Sequence, residues 1–107
     1  MKNFDSEKHV RGESQFVDDL LVPEGTLYAH VCYSRIAHGK ILSIDFSAAQ
    51  TMNGVQAIVT AKDIPGENQI GGIVQDEPLL AEGHVHFIGQ PIAIVVADSP
   101  LHARCAA

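Results

Sequence analysis

The apolar positions of the chain fall into short alternating runs rather than long helical stripes. In TLYAHVCYS, 26–34, Leu27, Ala29, Val31 and Tyr33 share one face and Tyr28, His30 and Cys32 the other, which predicts a strand. KILSIDF, 40–46, and VQAIVT, 55–60, predict two more. Between them Ser47 can serve as an N-cap with Gln50 as its N3 partner, and Gly54 can end a short helix over 48–53 in the left-handed conformation. Thr60 and Asp63 can cap a single turn at 61–64, which Pro65 ends.

HVHFI, 84–88, and PIAIVVA, 91–97, predict a fourth and a fifth strand, with Leu79–Ala81 a possible short addition. The fifth is almost free of polar side chains and is expected to be central and covered on both faces. Gly89 is placed at a positive-φ turn, Gln90 as an exposed turn side chain, and Pro91 at the strand's opening. Ser99 and Pro100 form the N-cap and N1 of a last helix, 100–107, which carries no stop signal. A helix that short is marginal alone, so it is expected to dock on the sheet or to continue, with the chain truncated at or inside it.

Residues 1–8 are expected to be disordered, 9–25 extended or irregular, and 66–83 a long loop, leaving one domain over 9–107. Short strands with short helices predict an α+β fold. The 107 residues can build one modest core.

Charge then removes function classes. Seven Lys and Arg against thirteen Asp and Glu give a formal net charge of −6. No basic stripe is available for nucleic acid, and an acidic surface disfavours anionic membranes. No apolar run approaches a membrane span, and the polar N-terminus does not read as a secretory signal. Cys32 and Cys105 form no disulfide framework and read as buried small hydrophobes in a reduced, cytoplasmic protein.

Candidate chemistry is sparse. His84 and His86 are two residues apart on a strand, so they share a face, and Glu82 could reach them. Two histidines do not complete a metal site, and half-exposed strand residues are the simpler reading. His30, His38 and His102 receive no role. Asp18 and Asp19 point opposite ways on an extended chain and form no dyad. Glu67, Asp76 and Glu77 solvate the long loop. Ser34, Ser43, Ser47 and Ser99 lack a nucleophile elbow, and Gly71-Gly72 lacks the strand and helix of a phosphate loop. No residue is assigned as catalytic, cofactor-binding or metal-ligating.

The order of segments carries more. HVRGESQFVDD resembles a V-x-G-x-A-x-(Y/F)-x-D-D opening. LYAHVCYSRIAHGKILSIDFSAAQTMNGVQAIVTAKDIPGEN and DEPLLAEGHVHFIGQPIAIVVADSP follow in the order of the same family pattern. Together they resemble the molybdenum-binding large subunit of xanthine dehydrogenases and aldehyde oxidases, from about His9 to the C-terminus. Tyr33-Ser34-Arg35 departs from the pattern, where Arg or Ser more often precedes the serine. The resemblance implies an N-terminal α/β-hammerhead domain of a subunit that hydroxylates purines, other N-heterocycles or aldehydes with water as oxygen source.

It further implies molybdopterin-molybdenum in the rest of that subunit, and 2Fe-2S and FAD in partner subunits or domains. This segment itself holds no active site and packs on the remainder. Alternatives of other classes are a stand-alone module binding metal through His84 and His86, and a free assembly module. Exposed apolar residues of the long loop (Ile70, Ile73, Val74, Leu79, Leu80) and of the last helix (Leu101, Cys105) are expected to drive self-association.

Overall fold

The computed structural model describes residues 5–107. Strand β1 (Tyr28–Tyr33), β3 (Val55–Thr60) and β5 (Pro91–Ala97) form a three-stranded sheet in the order β1-β5-β3. A two-stranded ribbon joins β2 (Gly39–Lys40) to β4 (His84–Val85). All pairings are antiparallel. Helices α1 (Ser6–Arg11), α2 (Ser47–Gln50) and α3 (Pro100–Ala106) complete the α+β arrangement, with 3-10 turns at Val17–Asp19 and Ala61–Asp63.

The apolar strand is central, as its sequence predicts. Its cover is unequal: Ala93, Val95 and Ala97 are buried, while Ile92, Ile94 and Val96 on the opposite face are only half-buried. Helix α3 lies on β1 and β5 and contributes the buried Ala103. Its Arg104 and the Ala107 that follows it line a hollow with His30 and Cys32, which share the Ala93–Val95 face by register. The expectation of cover on both faces therefore holds for one. The Ser99 hydroxyl accepts the His102 N–H at 3.2 Å, so the predicted cap of α3 is present.

Several expectations need correction. Of the segment expected to be disordered over 1–8, residues 1–4 lie outside the described residues, and Ser6–Lys8 begin α1. A Glu7–Arg11 pair at 3.0 Å and Gly12 at φ +69° bound that helix, which buries nothing. The strand predicted over 40–46 ends at Lys40, and the strand predicted over 84–88 ends at Val85, because each has only the other as partner. Ser47 is not the N-cap of α2; Phe46 is, and the Asp45 carboxylate accepts the Ser47 N–H at 2.9 Å. Cys32 is half-buried and Cys105 exposed, so neither is the buried hydrophobe expected.

The 66–83 segment forms no strand but is not all surface. Leu80 and Ala81 are buried. The Asn68 amide grips the Leu80 backbone from both sides: its Nδ2 donates to the carbonyl at 2.7 Å and its Oδ1 accepts the N–H at 2.9 Å. Ala81 N–H then donates to Pro91 O at 2.8 Å, tying the loop to the start of β5. One side chain thus replaces a strand partner, which hydrophobic periodicity cannot reveal.

Candidate docking surface

Three features are candidates, two of them gathered where β1 and β4 end and β5 begins. The first is a polar hub. Ser34 N–H donates to Gln90 O at 2.9 Å and Gly89 N–H donates to Ser34 O at 2.9 Å. Gly89 supplies the positive φ, +86°, as its sequence position predicts. Gln90 is not the exposed side chain expected: it is 2% exposed, and its Oε1 accepts the His86 N–H at 2.7 Å. The Ser34 hydroxyl donates to Ile36 O at 2.9 Å and accepts Ile36 N–H at 3.2 Å, so it closes its own loop. A hydroxyl so engaged holds a turn and is not poised for attack.

The second feature is a row of histidines. The rings of His84 and His86 lie 6.4 Å apart, and His38 joins them at 5.7 Å from His86. The sequence gives His38 no role because its place depends on the register of Gly39 opposite Val85. All three side chains are exposed. Among the described residues no three His, Cys, Asp or Glu side chains are grouped to hold a metal ion. Glu82 lies instead at the rim of the third feature.

That third feature is a hollow of about 310 Å³ with a mostly apolar wall of Ile41, Leu42, Ile44, Phe46, Ala81 and Ile92, interrupted by the polar Ser43, Thr60, Lys62 and Glu82. Lys62 and Glu82 place opposite charges on it, so it offers no net field for an anionic group such as a phosphate. What it can do is receive apolar side chains.

Electrostatics elsewhere serve local structure. Thr60 N–H and Oγ1 donate to the Asp63 Oδ2 at 2.7 and 2.8 Å, and these bonds, the backbone one first, hold the Asp63 carboxyl below its ordinary range. The Ser47 backbone N–H, with a lesser contribution from its hydroxyl, does the same for Asp45. The predicted Thr60–Asp63 pairing is present. Asp18 and Asp19 lie in a 3-10 turn, where Asp19 Oδ2 accepts Phe16 N–H at 2.9 Å.

Residues 11–107 match the family described as aldehyde oxidase and xanthine dehydrogenase, a/b hammerhead domain. The chain is similar to xanthine dehydrogenase 1 of Arabidopsis thaliana, 48% identical over 98 residues that cover 92% of this chain and 7% of that protein. It is 40% identical over 96 residues to the nicotinate dehydrogenase large molybdopterin subunit of Eubacterium barkeri, covering 90% of this chain and 22% of that one. The aldehyde oxidoreductase from Desulfovibrio gigas superposes with a TM-score of 0.84 at 34% identity, over 96% of this chain and 13% of that one. The chain spans a small part of the length of each.

Proposed function

The chain belongs to the a/b hammerhead domain family of aldehyde oxidase and xanthine dehydrogenase, and from that premise we propose that it frames the large subunit of a molybdenum hydroxylase without contributing catalytic groups. The domain runs over 9–107 and packs on the rest of that subunit. The whole enzyme hydroxylates a purine, another N-heterocycle or an aldehyde in the cytoplasm. Molybdopterin, which supplies the redox chemistry when bound, is held by the remainder of the subunit, with 2Fe-2S and FAD in partner subunits or domains. The hollow beside residues 41–46, where Lys62 is opposed by Glu82, gives no reason to place the cofactor on this chain.

One observation carries the reading. A compact 11.5 kDa protein exposes about 5,800 Å², and this chain exposes 8496 Å². Its radius of gyration is 18.9 Å, against about 13 Å for a compact chain of this length. Side chains such as Leu21, Leu42 and Ile73 stand in solvent while the buried core is small and rich in alanine. A chain so open has surface for another body to cover.

The test is the complete reading frame that carries this segment, produced with its partners. The enzyme is expected to hydroxylate xanthine or an aldehyde with oxygen drawn from labelled water. A complete product with no further coding sequence and no hydroxylase partner would contradict the reading.

A further inference from the structure

We infer that residues 41–46 are an acceptor edge that takes up an extended segment from the remainder of the large subunit by strand addition. This rests on the framework role proposed above and names the surface through which it acts.

The segment ILSIDF has strand-favouring residues, yet it leaves the ladder after Lys40. Its last in-register bond is Ile41 N–H to Gly83 O at 2.8 Å. Among the described residues, no backbone hydrogen bond then reaches the N–H or carbonyl groups of Leu42, Ser43, Ile44 or Asp45. Among the described residues, the side-chain bonding there runs from the Asp45 carboxylate back to Ser47, whose N–H it accepts at 2.9 Å. Backbone polar groups are obligatory bonding groups, and a bare row of them is a template for a further strand.

Few of the devices that normally protect an edge lie within the segment. Residues 41–46 carry no Pro and no Lys, and the one charge, Asp45, is engaged with Ser47. Leu42 is 87% exposed. The apolar hollow lies beside the segment, with Ile41, Ile44, Phe46 and Ile92 in its wall. An added strand would bond to the bare edge through its backbone and seat every second side chain in that hollow. The occupant is therefore an extended segment with apolar side chains at alternate positions. We take it from the same subunit, since this stretch matches only 7% to 22% of the length of related proteins and leaves most of such a subunit to supply it.

Amide hydrogen exchange tests this on the 107-residue chain and on the complete subunit. In the chain alone, Leu42–Asp45 amides should exchange near the unprotected rate at every concentration. In the complete subunit, alternate amides within Leu42–Asp45 should slow at least ~100-fold. Leu42→Pro should leave the melting temperature of the isolated chain within about 1 °C, and lower that of the complete subunit. Protection elsewhere on the domain, with 42–45 still unprotected, would overturn the strand addition and leave the framework role standing. No gain of protection anywhere on the domain would overturn both. Concentration-dependent protection in the chain alone would overturn this occupant in favour of a second copy.

Discussion

The Gln90 side chain, 2% exposed, accepts the His86 backbone N–H at 2.7 Å, tying the turn before β5 back to the end of β4. Gln90→Ala would leave a void at the buried amide and remove that bond. The expected cost is about 1–3 kcal/mol. Urea unfolding of the variant measures it, and a midpoint equal to that of the parent chain would contradict the role assigned to Gln90.

Gly54 and Gly89 both hold positive φ, +83° and +86°, but differ in surroundings. A Cβ at Gly89 would meet nothing within 4 Å, whereas one at Gly54 would run into the His102 ring and the Asp98 carboxyl. Gly89→Ala should cost about 1–2 kcal/mol from backbone strain alone, and Gly54→Ala about 1 kcal/mol more. Equal melting temperatures for the two variants would show that Asp98 and His102, whose side chains bond each other at 2.5 Å, yield freely.

Leu80 and Ile73 separate the two faces of the long loop. Ile73 is 100% exposed and Leu80 2%. Leu80→Asp should destabilise by more than about 3 kcal/mol or prevent folding, while Ile73→Asp should stay within about 0.5 kcal/mol of the parent. Sedimentation across a concentration series then uses Ile73→Asp to test self-association. Leu80→Asp cannot serve there, contrary to the expectation that placed Leu80 on the surface.

Asp63 gives a pH dependence of known sign. Its folded pKa lies below the ordinary 3.8, so the unfolded chain takes up the proton first as pH falls. The contribution is present above that ordinary value and is lost as pH drops through the lowered one. Asp63→Asn should flatten the fall in melting temperature below about pH 4. Circular dichroism melts of parent and variant that stay parallel through that window would refute it.

Local rules made parts of the fold legible in the sequence. The strand at 55–60, the Thr60–Asp63 turn, the positive φ at Gly54 and Gly89, and the Ser99-Pro100 start of α3 each depend on neighbours within a few residues. The central place of Pro91–Ala97 was legible from its unbroken apolar run. What escaped depends on distant partners. Gln90 is buried because β1 and β4 converge on it, His38 reaches His86 through strand register, and Asn68 meets Leu80 across twelve residues. The run 40–46 shows the converse: strand propensity was present, and the partner strand was not.

Whether this chain frames a molybdenum site or holds one is decided by elemental analysis of the purified 107-residue protein, made in cells that produce molybdopterin. The framework role predicts no stoichiometric molybdenum and no hydroxylation of xanthine or aldehydes by this chain alone, since the cofactor carries the redox step. One molybdenum atom retained per chain, with turnover, would contradict it.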